Sequence, residues 1–557
     1  MRRTGNASQL QFLVLFRTFL FRVVDLELLS ADADTTRLLG QFAAMFAGVS
    51  YLFTFWLVFT PAKFSRPFLW MMEHFLIATT MVVAGLFSVL CWDSIFPDRA
   101  DVLVISPLPV RASTLFCSKL AALTAALSVS VLSLNVFSGL VWPFVFSSTN
   151  GSGLLVVTRS FGAYWTTMLL AGVFMFCCVL GLQGAASVLL RRQRFLRLSA
   201  LLQAGAFFLF FGVYFLEPSL GTLENLGLLA RLPSYWFLGL FQQLNGSMLP
   251  EFAALARRAW IGLAIAISGG VASVLLAYFR TMQKIVEEPD IMPGAHQAER
   301  SLRFGSLLQT SVGLFSLRTL LRSRQHRMLL SFYLGTGLAI VAAYVKTPLG
   351  QQGFLQGSRG GGAVDVAFLV ASVWMVCFGV IGVRVVLTMP HLLRANWIFR
   401  MTEIRTVPEY LSAVRRSLLV IALAPVWILL AILFLFRWPT WPVAIHLVVL
   451  GLVGMTVIEL CLRGFHKLPF TCSYSPGQSK VRVISWGVAL VLLPPSAARV
   501  EERMLGGPFR WVCMVAVLAL LLGLARWRTM ASARSAEKMA FEEEYPPELL
   551  ALGLDGN

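Results

Sequence analysis

The sequence predicts an all-α polytopic membrane protein with about 12 transmembrane helices, in two six-helix pseudo-repeats each preceded by an interfacial elbow helix. Three observations predict it. Apolar residues make up 57% of the 557-residue chain and charged ones 13%, with a mean hydropathy of +0.76. Soluble domains are roughly half apolar and a quarter charged. Apolar runs of about 20 residues, each long enough to cross a hydrocarbon core of roughly 30 Å, recur along the whole length. The order of interfacial helix, two spans, charged connection and four spans occurs twice, over 8–280 and 301–528, with almost no residue identity between the halves.

The charge balance excludes other classes. Forty-six lysines and arginines against 27 acids give a net charge of +19. In a soluble chain that excess would point to nucleic acid, but in a membrane chain it collects in cytoplasmic loops and holds topology. No nucleic-acid partner is expected. The eight cysteines (91, 117, 177, 178, 377, 461, 472 and 513) lie mostly within or beside apolar runs and form no CxxC pair or Cys/His spacing. Neither a disulfide framework nor a metal site is expected, and they read as small core residues. The basic, then apolar N-terminus is not read as a signal peptide, because Arg17 and Arg22 interrupt it and no small-x-small site follows.

Residues 8–28 carry Arg17, Arg22, Asp25 and Glu27 in an apolar background, which predicts a helix lying in the interface with its charges reaching water. Spans one to six are expected at about 38–60, 67–92, 114–145, 162–190, 197–216 and 257–279. Arg191-Arg192-Gln193-Arg194 marks a cytoplasmic stop, and the aromatic-rich LLARLPSYWFLGLFQQL belongs at the outer interface. A cytoplasmic linker and second elbow follow, the elbow within 301–329. Spans seven to twelve are expected at about 328–345, 364–388, 417–436, 442–462, 483–495 and 510–526, with SAARVEERMLGGP as a non-spanning outer segment before the last. The domains are then 1–280, 281–327, 328–528 and a cytoplasmic tail, 529–557. With both termini in the cytoplasm, inner segments hold 34 of the 46 basic residues, the bias that the positive-inside rule expects.

The connection from Phe96 to Leu120 cannot lie in lipid, because Asp98, Arg99, Asp101 and Arg111 are too costly there. Asp98 and Asp101 are N-cap types ahead of Val102–Ile105 and predict a short helix. Pro107 and Pro109 end it, and Arg111-Ala-Ser-Thr opens the next span. A short helix, a stiff turn and a re-entering span make a foot that a second protein can push. The acid-rich turn, Leu108-Pro109-Val110, the basic Arg111 and Ser118-Lys119-Leu120 resemble the cytoplasmic coupling segment of ABC-2-type (type V exporter) permeases. The resemblance extends over nearly the full chain, since that family has the elbow helix, the foot between spans two and three, and extracytoplasmic elements between spans five and six.

This resemblance implies the permease subunit of an ATP-driven exporter in the bacterial inner membrane, working by alternating access, with two six-span halves fused in one chain. It places ATP and Mg on a separate soluble ATPase, in two copies, and no cofactor on this chain. Coupling residues are then Asp98, Arg99, Asp101, Pro107, Leu108, Pro109 and Arg111 in the first foot. By position, Arg400, Glu403, Arg405 and Glu409 follow in a second foot at 390–412, which departs from the family by lacking Leu-Pro-Val. Membrane lipid and an unspecified cargo complete the partners.

No GxxxxGK phosphate loop occurs, which agrees with ATP hydrolysis on another chain. No Ser/His/Asp grouping or HExxH motif is visible, so no catalytic residue is expected. Glu73 and His74 on the second span and His446 on the tenth are candidates for a substrate path, as ionisable residues within spans are by default. Glu459 is expected to pair with Arg463 at i+4, and Arg384 to snorkel. An alternative reading is a polytopic membrane glycosyltransferase using a lipid-linked sugar donor, with Asp32-Ala-Asp34 as its DxD. That reading needs 8–28 to span and puts most basic residues outside, against the positive-inside bias. Otherwise Asp32 and Asp34 cap the helix before span one.

Overall fold

The computed structural model describes residues 2–24, 43–44, 46–51, 54–55, 65–91, 108–147, 153–190, 192–216, 231–247, 249–287, 305–345, 366–389, 406–437, 440–463, 465, 467–471, 494–504 and 507–535. Apart from short turns these are helical, with no strand element among them. Among the described residues eight helices are long and apolar enough to cross a membrane, so the chain is a polytopic membrane protein. The expected spans one and eleven fall mainly outside the described residues. Spans five and seven lie on helices whose apolar stretches are shorter, Gly205–Tyr214 and Leu329–Leu338. The chain divides into two compact units, Met1–Gln297 and Ala298–Asn557, so the second elbow belongs with the second unit.

In the first unit, α1 (Arg2–Val24) packs along α3 (Ala112–Asn135). Between them in sequence lies α2 (Arg66–Leu90), opened by Pro67, whose missing N–H costs nothing in a first turn. The expected single span 114–145 is two helices, because α3 stops at Asn135 and α4 (Ser138–Ser147) restarts after a turn. The break is stable because its freed donors are satisfied. Phe137 and Ser138 both donate backbone N–H to Ser50 Oγ, each at 3.1 Å. Next come α5 (Leu154–Leu189), α6 (Arg192–Leu216), α7 (Pro233–Asn245) and α8 (Pro250–Glu287). Helices α5 and α8 run parallel and very close, with glycines at the contact. A Cβ added at Gly184 would come within 2.7 Å of Ser273 Oγ, and one at Gly270 within 3.0 Å of the Cys177 carbonyl. Two parallel neighbours require the chain to return between them. Helix α6 makes that return, antiparallel to α2, with Thr79 Oγ1 2.8 Å from Tyr214 Oη and Gly85 against Phe210.

In the second unit, α9 (Leu307–Arg322) starts with a capping box, Ser306 and Gln309 bonding each other's backbone N–H. Helices α10 (Arg324–Val345) and α11 (Val366–Leu387) run antiparallel, with Gly337 against Phe378 and Gly382 against Tyr333. The polar interruption expected over 390–416 ends ten residues early. Helix α12 (Val407–Leu418) passes through a π turn, Leu419–Leu423, directly into α13 (Ala424–Arg437). Pro408 suits its first turn, and Pro425, which cannot donate to the preceding turn, stands two residues after the π turn. Helix α14 (Thr440–Leu462) runs antiparallel to α12 and α13, and Trp427 donates its indole N–H to the Leu447 carbonyl at 2.9 Å. Helix α15 covers 494–504, and α16 (Pro508–Ser535) runs parallel to α14: Trp441 meets Trp511, and Thr529 Oγ1 donates to the Glu459 carbonyl at 3.2 Å. The expected twelfth span thus continues helically through Ser535, into the expected tail.

Candidate functional site

Of the first foot, Asp98, Arg99, Asp101 and Pro107 lie outside the described residues. Leu108, Pro109 and Arg111 are exposed, and Val110 N–H bonds back to the Leu108 carbonyl at 2.7 Å, a tight turn about Pro109. Arg111 holds extended backbone immediately before α3. The elbow helix fastens this turn. Gln11 donates to the Pro109 carbonyl at 3.4 Å, while Lys119, only 3% exposed, sits over the Phe19 ring at 5.0 Å. Phe19 also packs with Leu115 and Ala122. Of the second foot, Arg400, Glu403 and Arg405 lie outside the described residues. Glu409 is exposed in the first turn of α12 and accepts from Thr406 Oγ1 at 3.1 Å, a helix start rather than a loop.

The three residues expected along a substrate path are inside the units. Glu73 is 4% exposed and accepts a hydrogen bond from the Gln242 amide of α7. His74 stacks on Tyr235 of α7 with ring centroids 4.1 Å apart, and Trp70 meets Phe252 edge-on. The first two contacts seat α7 on the start of α2, and the third joins α2 to the start of α8. Below them a neutral network joins five helical segments. Tyr164 Oη donates to Asn135 Oδ1 at 2.8 Å, Asn135 Nδ2 reaches Thr80 Oγ1 at 3.2 Å, and Ser138 and Ser50 hydroxyls meet at 3.1 Å.

His446 is fully buried between two partners that the sequence reading missed. Its Nε2 lies 2.9 Å from Ser372 Oγ on α11, and its Nδ1 lies 2.8 Å from Glu501 Oε1 on α15. This has the order of a serine–histidine–acid relay. A nucleophile needs substrate access, however, and Ser372 is 1% exposed with its hydroxyl directed at the Leu369 carbonyl, 2.7 Å away. The arrangement is suited to holding charge. A second buried pair joins Arg415 of α12 to Glu459 of α14, with Nη2 3.0 Å from Oε2. It replaces the expected i+4 pairing of Glu459 with Arg463. Arg384, expected to snorkel, donates instead to the Cys461 carbonyl at 3.2 Å and faces the Phe465 ring.

The signals for these partners were faint. Gln242 and Glu501 sit in segments that read as interfacial, where a polar residue is unremarkable, and Ser372 is a lone hydroxyl in an apolar run. Among the described residues no group of three or more His, Cys, Asp or Glu is placed to hold a metal ion. Asp32 and Asp34 lie outside the described residues. Comparison with protein-family models, with curated proteins and with solved structures finds no match to this chain.

Proposed function

We propose that this chain is the permease subunit of an ATP-driven exporter of the ABC-2 type, with two six-span halves and both termini in the cytoplasm. The observation that carries this reading is one helix plan that recurs in both units. An elbow packs on the third span, as α1 on α3 and α9 on α12. The second span lies beside the fourth, as α2 with α5 and α11 with α14. The fourth lies beside the sixth, as α5 with α8 and α14 with α16. A short helix precedes the sixth, as α7 and α15. Two units of one plan suit alternating access, in which one half rocks against the other around a central path.

In this reading two copies of a separate ATPase bind the feet at about 93–112 and 390–412, and their ATP-driven closure pushes on them. The elbow contacts support it. A force on the Pro109 turn reaches α3 directly through Arg111, and α1 through Gln11. The cargo is a lipid, glycan, peptide or hydrophobic drug, suited to a path lined by apolar and aromatic residues.

The test is co-purification with, and stimulation of, the ATPase. Replacing Pro107 and Pro109 by Ala is expected to uncouple transport from hydrolysis while leaving membrane insertion intact. Reversing Asp101 or Arg111 is expected to weaken ATPase binding at least about tenfold, since like charges across an interface repel. Wild-type binding and transport in all these variants would overturn the reading. Sugar transfer abolished by Asp32→Ala would put the glycosyltransferase in its place.

A further inference from the structure

Helix α16 carries no acidic residue, and no residue of its apolar stretch is buried. Tryptophans mark its two ends. Trp511 meets Trp441 at one, and Trp527, 66% exposed, stands roughly 24 Å further along the axis. That separation is close to a hydrocarbon core of roughly 30 Å, and tryptophan collects at both borders of such a core. Beyond Trp527 the helix continues to Ser535, at the level of lipid headgroups.

One face of this extension is spoken for. Thr529 and Ala533 are buried, with Thr529 Oγ1 on the Glu459 carbonyl of α14. At about 100° per residue the opposite face holds Leu520, Leu524, Trp527, Arg528, Ala531 and Arg534, all of them exposed. The leucines form an apolar stripe that leads to Trp527. The small Ala531 then lies between Arg528 and Arg534, which are roughly 9 Å apart along the axis. Neither of these guanidinium groups pairs with another described residue. Elsewhere in the unit Arg415 is taken by Glu459, and Arg384 by the Cys461 carbonyl.

We propose that Trp527, Arg528, Ala531 and Arg534 form a seat for the headgroup of an anionic phospholipid. Its phosphate is held over Ala531 by the two guanidinium groups, and its acyl chains lie against Leu520 and Leu524. A guanidinium fork matches the oxygens of a phosphate and gives up its water readily. The phosphate of a zwitterionic lipid already has an ammonium group beside it, so the seat prefers a lipid of net negative charge. Arg526 is exposed on the same helix but lies about 140° around it from Ala531, outside the seat. The inference needs only that α16 crosses a bilayer, and it stands whether or not an ATPase binds this chain.

Fluorescence quenching of Trp527 tests it, using the full chain in phosphatidylcholine nanodiscs that contain about one-fifth phosphatidylglycerol. Bromine is placed on the acyl chains near the headgroup, either in the phosphatidylglycerol or in an equal share of the phosphatidylcholine. The Trp527 signal is the difference between each protein and its Trp527→Phe counterpart. In the wild type, brominated phosphatidylglycerol is expected to quench Trp527 at least about twofold more than brominated phosphatidylcholine. Arg528→Gln with Arg534→Gln should make the two lipids equal, and so should Ala531→Glu, which sets an acid in the middle of the seat. Arg526→Gln should keep the preference. Quenching of the remaining tryptophans should be alike in all variants and reports the fold. Equal quenching by the two lipids in the wild type would overturn the proposal, as would a preference that the paired Gln changes leave intact. A preference lost equally in Arg526→Gln would replace the seat with diffuse surface charge.

Discussion

Each unit seats a short helix on the second turns of longer ones, and each uses a buried acid to do it. In the first unit the acid is Glu73, on the long helix α2, and α7 brings the neutral amide of Gln242. In the second the acid is Glu501, on the short helix α15, and α11 and α14 supply Ser372 and His446. An amide donates at any pH, whereas an imidazole donates through both nitrogens only when it carries its extra proton. The contrast continues deeper in each unit. Ser50, Thr80, Asn135, Ser138 and Tyr164 form a network without formal charge, while Arg415 and Glu459 form a buried ion pair. The Asn135 network is neutral and the Arg415–Glu459 pair is charged, so the two answer differently to the loss of one partner.

The largest expected effect breaks the charged side. Arg415→Ala strands Glu459 in the interior and should destabilise the second unit by about 3–5 kcal/mol. Thermal unfolding of the purified protein, read together with hydrogen exchange in α12 and α14, checks both size and place. A double change to Arg415→Met with Glu459→Leu removes both charges and should recover most of that loss. In the first unit, Gly270→Val forces a side chain against the Cys177 carbonyl and should cost about 1–3 kcal/mol, read as faster exchange in α5 and α8. Tyr164→Phe leaves the Asn135 carbonyl oxygen short of a donor in a dry site, and about 1–2 kcal/mol is expected in the same measurement. The smallest effect is Glu73→Gln. It keeps the shape and leaves an acceptor for Gln242, so a change within about 1 kcal/mol is expected. A loss as large as that of Arg415→Ala would show that Glu73 is held as a charge and would erase the contrast.

Long apolar helices bounded by turn residues were legible. Spans expected at about 67–92, 364–388 and 442–462 correspond to Arg66–Leu90, Val366–Leu387 and Thr440–Leu462. Pattern and length suffice there because burial of an apolar stretch is a local decision. What escaped depended on distant partners. The break after Asn135 is invisible locally, since the hydroxyl that satisfies it belongs to Ser50. Residues 407–416 read as a polar loop because Glu409, Arg415 and Arg416 look solvated, yet Glu459 takes one of those charges into the interior. Of the sites, Glu73, His74 and His446 were visible as ionisable residues within apolar runs, but their burial against α7, α11 and α15 is set by packing between helices and leaves no spacing in the sequence.

The π turn at Leu419–Leu423 has a genetic consequence. It holds one residue more than an α-helical turn would, and each residue turns a helix by about 100°. Before the turn, Tyr410, Leu411, Val414 and Leu418 face inward; after it, Ile428, Leu429, Ile432 and Leu433 face outward. The wide turn absorbs that extra residue without adding its twist, so the buried positions continue from Val414 and Leu418 to Leu423, Ala431 and Phe434. Deleting one codon within this stretch would therefore restore a regular α-helix and leave the two faces where they are. A codon deleted elsewhere along the same helix would instead swing the outward leucines and isoleucines of α13 by about a quarter turn.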